Sequence, residues 1–284
     1  MNQYNLGGHS GCQIFLIEDD GKVFVRKISK DIDYNVRLKI QCEKQAAFVG
    51  SSIKAPAVYD QGYTDEGLFY FDMEYIQGMT LAEHIKSMEI GAIKGLVESL
   101  VSSLIPTTSN ETGIAEQNKA KDIFSKKISE LKIKLSNKNN QIINSSLELL
   151  EAHDWSKMTY SLCHGDMTLE NIIIKNDKMY FIDFLDSFYD SWFLDIGTLL
   201  QDIQVMWSYR FENKVSMNTV LRLIVFRDLL IDEIKKINPG YIIEIYYALL
   251  QKLIRIYPYV KDEHTYNFLN EKTSIVLEKI NALK

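Results

Sequence analysis

Cysteine is scarce in this chain: Cys12, Cys42 and Cys163 are the only three, odd in number and far apart. That excludes a disulfide framework and a cysteine-paired metal knuckle, leaves buried small residues as their expected role, and makes a reducing cytoplasm the expected compartment. The segment Met1 to Asn5 lacks the basic stretch and apolar run of a secretory signal. No apolar run is long enough to cross a bilayer, so a membrane is not expected as a partner. Basic charge is not in excess either, with 32 Lys and Arg against 38 Asp and Glu and a formal net charge of -6. A nucleic-acid surface normally needs a clustered basic footprint, and the lysines here are scattered. Internal repeats and low-complexity tracts are absent, and no feature points to a protein partner. What remains is the composition of an ordinary globular protein, 46% hydrophobic and 25% charged, with 284 residues to fill one large domain or two lobes.

The first seventy-odd residues read as strands. Gln13 to Ile17 and Val23 to Ile28 are apolar runs joined by Glu18-Asp19-Asp20-Gly21, a hairpin turn. Gly7-Gly8-His9-Ser10-Gly11 precedes them as a loop. Tyr34 to Val49 turns helical, with Val36, Ile40, Ala47 and Phe48 expected on the inner face. Pro56 forces an extended segment, and Ala57 to Tyr63 with Leu68 to Glu74 makes a second hairpin. Around Ile76 to Gly78 the character changes. Thr80-Leu81-Ala82-Glu83 is a capping box, and helical periodicity follows over Ile93 to Ile105, Ile123 to Leu135 and Ile142 to Ala152, with a polar loop expected from Pro106 to Asn118. Short strands return as Ile172-Ile173-Ile174 and Met179 to Ile182 around an Asn176-Asp177 turn. Everything beyond Asp195 is helical, broken at Asn238-Pro239-Gly240 and near Pro258. The expected class is α+β: residues 1–77 form a small, mainly antiparallel sheet with one helix, and 78–284 form a larger helical part.

The informative chemistry lies between Cys163 and Asp195. In His164-Gly165-Asp166-Met167-Thr168-Leu169-Glu170-Asn171, followed by Ile182-Asp183-Phe184, two carboxylates and an amide surround a pair of apolar strands. Strands are rigid supports, so Asp166, Asn171 and Asp183 are expected to converge from loops at one end. Oxygen groups of this type suit Mg²⁺, which favours a few carboxylates together with phosphate oxygens and water. A lone carboxylate beside such a cluster can accept a proton from an incoming hydroxyl. Taken singly, the same residues would be turn and strand-end caps.

This segment resembles the aminoglycoside phosphotransferase and choline kinase families, which share the two-lobed fold of protein kinases. The resemblance implies a kinase that moves the γ-phosphoryl group of ATP or GTP to a hydroxyl of a small acceptor, with Asp166 as the catalytic base and Asn171 and Asp183 holding Mg²⁺. It implies further that Val23 to Ile28 is the third strand of the fold, with Val25 under the nucleotide base and Lys27 at the phosphates. Strand alternation puts those two on one face, and Arg26 would take the place of Lys27 only if the strand were turned over. Glu43 in the next helix is the expected partner of Lys27. Phe71 to Gly78 resembles the hinge between lobes, where Glu74 and Ile76 would bond the base edge through their backbone with Met73 behind. Ser10 and the glycine loop are candidates for the phosphates. His164 and Asp195 are expected to support the catalytic loop, Asp195 also being read as the cap of its helix.

Protein kinases carry arginine where Gly165 stands, and a long segment separates their metal aspartate from the next landmark. Here Asp195 follows Asp183 closely, with no Ala-Pro-Glu, which favours a small acceptor over a peptide. Asp186, Asp190, Asp202, Trp207 and Arg210 are the candidate acceptor contacts. Acidic residues, among them Asp186, Asp190 and Glu212, would suit an aminoglycoside, choline or ethanolamine, while Trp207 and Arg210 lean towards a sugar or sugar derivative. The alternatives are a nucleotide-binding pseudokinase or scaffold without turnover and, more distantly, a metal-dependent hydrolase.

Overall fold

The computed structural model describes residues 2–7, 11–104 and 114–284. Its amino-terminal part is built from β1 (Asn2–Asn5), β2 (Gln13–Asp19), β3 (Lys22–Ile28), α1 (Asn35–Ala47), the short β4 (Ile53–Lys54), β5 (Val58–Tyr63) and β6 (Phe69–Glu74). Five of these strands make an antiparallel sheet in the order β1-β2-β3-β6-β5. The β2–β3 hairpin turns at Asp20 and Gly21, with φ of 46° and 78°, the left-handed pair that a two-residue hairpin needs. β1 has no counterpart among the expected strands: it is a polar edge strand, exposed at all four residues, and carries no apolar alternation.

α1 exposes the side expected to face inward. Val36 is 68% and Ile40 40% exposed, and Ala47 is exposed, whereas Leu38, Gln41, Cys42 and Gln45 are buried. Only Phe48, just past the helix, packs inward as expected, its ring 5.4 Å from that of Phe181 and 5.5 Å from that of Phe184. Half of the buried face is polar, so apolar periodicity points the wrong way.

A second sheet joins β4 to β7 (Met79–Thr80), β8 (Ile172–Lys175) and β9 (Lys178–Phe181), in the order β4-β9-β8-β7. β4 is parallel to β9, so Ile53 and Lys54 are hydrogen-bonded into the sheet that β8 and β9 form. The β8–β9 hairpin turns at Asn176 and Asp177, with φ of 50° and 58°. Where the chain passes from one sheet to the other it needs a glycine: a Cβ on Gly78 would come within contact-breaking distance of the Ile174 carbonyl oxygen.

The larger carboxy-terminal part is helical: α2 (Leu81–His84), α3 (Ile93–Leu104), α4 (Ile114–Leu135), α5 (Gln141–Ala152), α6 (Trp192–Ile203), α7 (Met217–Ile237), α8 (Tyr241–Ile254) and α9 (Glu263–Leu283). Thr80 caps α2, its Oγ1 accepting from the Glu83 N–H at 3.3 Å. α4 begins well before the expected Ile123. Of the expected polar loop, residues 114–118 are helical and 106–113 lie outside the described residues. Its buried stripe runs through Ala120, Phe124, Ile128, Leu131 and Leu135, and Phe124 stacks on Trp155 with ring centroids 4.1 Å apart. α6 and α8 are buried along nearly their whole length and form the centre of the core. Such apolar burial, about 25 cal/mol per Å², gives α6 a rigid position from which to hold loops. The three cysteines are buried and form no disulfide. Among the described residues no helix is long and apolar enough to cross a membrane.

Candidate active site

Residues 163–171 run from the core to the start of β8, and two aspartates of α6 hold both ends of the loop. Asp195 Oδ2 accepts the His164 N–H at 2.7 Å and Asp195 Oδ1 accepts the Gly165 N–H at 2.8 Å. Asp202, seven residues on and so on the same face of α6, accepts the Leu169 N–H at 2.8 Å and the Ser208 N–H and hydroxyl at 3.1 and 2.7 Å. Both carboxylates are fully buried. Burial pushes Asp195 up to about 7 and Asp202 up to about 6, against the pull of the N–H groups that bind them. Two expectations are corrected here. Asp195 is not the cap of α6, since Ser191 is, its hydroxyl accepting from the Phe193 N–H. Asp202, expected at the acceptor, has its oxygens committed inside the protein and lines neither cavity described below.

His164 is neutral. Burial drives its pKa down to about 4, its Nε2 donates to the Ile182 carbonyl at 2.6 Å, and its Nδ1 accepts the Asp166 N–H at 3.2 Å. The ring thus ties the loop to the strand that leads into Asp183. Gly165 adopts φ of 93°, and a Cβ there would stand 2.5 Å from Ser187 Oγ and 2.8 Å from the Leu185 carbonyl oxygen. Only glycine fits, because the loop lies against residues 185–187.

From this support the chemical groups converge. Lys27, 2% exposed on β3, reaches Asp183 Oδ1 at 2.5 Å and Gln41 Oε1 at 3.3 Å. Asp183 has φ of 60°, a left-handed conformation that aspartate tolerates better than most residues. Asn171 donates from Nδ2 to the Asp166 carbonyl at 2.9 Å. The Asp166 carboxylate pairs with Lys252 of α8 at 2.8 Å. Lys27, Asp166, Asn171, Asp183 and Lys252 all line one cavity of about 660 Å³.

α1 meets the segment after Asp183 through one polar stripe. Arg37 Nε and Gln41 Nε2 donate to Asp186 at 2.6 and 2.9 Å, and Lys44 Nζ bonds Asp190 at 2.7 Å and the Leu185 carbonyl at 2.8 Å. Glu43 lies off that stripe and is exposed, so the partners of Lys27 are Asp183 and Gln41 and not Glu43. Asp186 and Asp190, expected near an acceptor, are engaged by the cations of α1. They fix the helix to residues 185–190.

The remaining candidates fall on the walls of the same cavity. Val25 and Met73, opposite one another in the β3–β6 register, line it with Glu74 and Ile76, and Ile173 of β8 and Ile182, just past β9, line it from the other side. Arg26 points to the other face, in a two-bond pair with Asp72 at 2.7 Å, so the strand is not turned over. The Glu74 N–H is already bonded to the Ala57 carbonyl at 2.8 Å. Trp207 and Arg210 also border the cavity, the guanidinium lying 4.1 Å from the indole centre. Ser10 lies outside the described residues.

Three features had no signal in the sequence: Gln41, Lys252, and a second cavity of about 620 Å³ that meets the first at Lys252 and Ile256. A polar residue in a helix is by default a solvated one. Only the tertiary fold shows where these go.

With this geometry in view, residues 3–218 match the model of the phosphotransferase enzyme family. The chain belongs to that family. It is a small-molecule phosphotransferase with a hydroxyl group as acceptor. Its fold is also that of solved phosphotransferases. One is a thermostable mutant of aminoglycoside phosphotransferase APH(4)-Ia in ternary complex with AMP-PNP and hygromycin B, 12% identical over 98% of this chain and 93% of that one, with a TM-score of 0.63. Another is amicoumacin kinase hAmiN in complex with AMP-PNP, Ca²⁺ and Ami, 14% identical over 98% of this chain and 88% of that one, with a TM-score of 0.62. A sequence search of curated proteins finds no match. The family fold is the two-lobed, protein-kinase-like α+β architecture, with a small antiparallel-sheet lobe and a larger helical one.

Gly165→Ala is expected to lower stability by about 1–3 kcal/mol, the cost of left-handed strain and a forced shift of the loop. Adding Ser187→Ala should not restore it, because the Leu185 carbonyl remains; a denaturant midpoint equal to wild type would contradict this. His164, with its pKa depressed from 6.5 to about 4, contributes stability that is complete above about pH 6.5 and is lost as pH falls towards 4. Asp195, raised from 3.8 to about 7, acts in the opposite sense: its contribution is present at low pH and is lost as pH rises through 7. Since the two oppose each other in overall stability, imidazole NMR shifts are the measurement of choice. His164 should stay neutral at pH 5 in the folded protein, and a midpoint near 6.5 would refute its tautomer and burial.

Proposed function

We propose that this phosphotransferase transfers the γ-phosphoryl group of ATP to a hydroxyl of a small acceptor, with Asp166 as the general base. The observation that carries this is the meeting of two cavities at Lys252, the residue paired with Asp166. A nucleotide in the first cavity and an acceptor in the second would lie on either side of that pair. The base of the nucleotide would sit between Val25 and Met73 on one side and Ile173 and Ile182 on the other. Because the Glu74 N–H is taken, the hinge contacts left to the base edge are carbonyl oxygens and the backbone of Ile76. Lys27 would neutralise the phosphates. Residues 1–77 then serve as the nucleotide-binding lobe and 78–284 as the catalytic and acceptor lobe, with Trp207 and Arg210 on the nucleotide side.

The residues present fit a divalent cation such as Mg²⁺. Asp183 and Asn171 supply two oxygen ligands in the cavity, and no cluster of three or more His, Cys, Asp or Glu side chains occurs among the described residues. A site of this kind takes its other ligands from phosphates and water. When bound, the ion would spread the negative charge of the phosphates. The chain's own part is positional and protonic. Asp166 accepts the acceptor's hydroxyl proton as the acceptor oxygen bonds to the γ-phosphorus. The bond from that phosphorus to the β,γ-bridging oxygen breaks, and ADP leaves with the bonding pair. Lys252 orients Asp166 and lends positive charge beside the transferring group.

Asp166→Asn should retain Mg·AMP-PNP affinity within a few-fold yet lose about 10²–10⁴ of acceptor-dependent turnover, the range of general-base contributions. Lys27→Met should weaken nucleotide binding itself. Calorimetry and coupled ADP release, run with ATP and GTP, separate the two effects. Full turnover in Asp166→Asn would remove the base from the mechanism. Nucleotide binding without turnover on a broad panel of alcohols would favour a scaffold.

A further inference from the structure

The second cavity carries a charge opposite to that of the protein. Five cationic side chains line it against two carboxylates, Glu130 and Asp186, in a chain of net charge -6. Three of the cations are matched by acids: Arg37 with Asp186, Lys127 with Glu130, and Lys252 with Asp166. Arg255 and Lys134 have no carboxylate partner among the described residues. Arg255 directly follows α8, one turn beyond Lys252, with its guanidinium 5.2 Å from the Phe188 ring centre. Arg255 is exposed, and Asp166 acts on it only at a distance, without an ion pair. Lys134 stands on the last turn of α4, across the cavity. A further donor lines the same space: Gln251, 1% exposed, has a buried Nε2 with no hydrogen-bond partner. Two cations without a carboxylate partner and a buried, unpartnered amide N–H on one cavity call for an acceptor-only group.

The acids that would have welcomed a cationic acceptor are used up elsewhere. Asp190 and Asp202 are committed to Lys44 and to backbone N–H groups, and Asp186 borders the second cavity with its oxygens on Arg37 and Gln41. A polyamine entering here would meet like charge with no free carboxylate to offset it.

We infer that the second cavity binds the anionic end of a hydroxylated acceptor, a carboxylate or phosphate group held by Arg255, Lys134 and Gln251, with a hydroxyl presented to Asp166. This rests on the kinase function proposed above and narrows its substrate from any small alcohol to an anionic one such as a sugar phosphate or a polyhydroxy acid. The anionic group takes no part in bond making. It supplies binding energy and register, so that the reacting hydroxyl meets the γ-phosphorus beside Lys252.

The test uses the intact protein saturated with Mg·AMP-PNP, which fills the first cavity, and titrates in D-tartrate, gluconate, glycerol 3-phosphate and glucose 6-phosphate by calorimetry. Glycerol, glucose, choline and kanamycin serve as neutral and cationic controls. At least one anion should bind, at least ten-fold more tightly than its neutral counterpart, and Arg255→Gln should weaken that binding by ten-fold or more while AMP-PNP affinity stays within two-fold. Whichever of carboxylate or phosphate binds identifies the group. Lys134→Gln, an exposed substitution that leaves the fold intact, should give a smaller loss in the same direction. No anion binding by wild type, anion binding indifferent to Arg255→Gln, or preferential binding of choline or kanamycin would each overturn the inference. Failure of the kinase function would look different: no AMP-PNP binding at all, while anions still bound nucleotide-free protein and Arg255→Gln still weakened them.

Discussion

Two backbone N–H groups, those of His164 and Gly165, find their acceptors in the carboxylate of Asp195, and the rest of the site hangs from that arrangement. A loop in left-handed geometry cannot satisfy its own N–H groups through a helix or a ladder, and unpaired they would cost about 1–3 kcal/mol each. Asp195 removes that cost at one end of the loop and Asp202 at the other. Both stand on α6, a helix buried along nearly its whole length, so the loop inherits the position of the core. The burial that makes these carboxylates effective anchors also raises their pKa, the usual conflict between desolvation and hydrogen bonding.

From the anchored loop the site is assembled across elements distant in sequence. His164 locks the loop to the carbonyl of Ile182, which sets Asp183 in place. Asp183 draws in Lys27 from the first sheet, and α1 clamps the following residues through Arg37, Gln41 and Lys44. β4 adds a backbone tie by pairing with β9. The amino-terminal part is therefore held to residues 183–190 by charge-assisted hydrogen bonds as well as by the packing of Phe48 on Phe181 and Phe184. Such contacts weaken readily when a competing anion arrives, which suits a cleft that must admit phosphates and release them.

The hairpins, the carboxy-terminal helices and the catalytic segment are legible in the sequence because each carries a local signal. Asp20-Gly21 and Asn176-Asp177 are turn pairs, and turn chemistry alone does not require Asp166, Asn171 and Asp183 to be grouped around two apolar strands. α1 misleads because its buried face includes Gln41 and Gln45 while Val36 and Ile40 face water. Periodicity assumes that inside means apolar, and a helix packed on an active site breaks that assumption. The expectation that Glu43 faces Lys27 fails for the same reason. Asp186, Asp190 and Asp202 look like acceptor ligands because a sequence shows which carboxylates exist and not which are already paired. Lys252 and Arg255 carry no signal at all: a charged residue at the end of a helix is ordinary, and only the packing of α8 against the loop brings Lys252 to Asp166 and Arg255 to the second cavity.

The most direct measurement follows the γ-phosphorus itself. Purified protein is mixed with ATP labelled at the γ-position, Mg²⁺ and a protein-free extract of small metabolites, and the label is then traced by chromatography. Transfer through Asp166 to a hydroxyl puts the label into a small organic phosphate ester, with none formed by Asp166→Asn. Label that appears only as inorganic phosphate, or that reaches the ester equally well in Asp166→Asn, would contradict that chemistry.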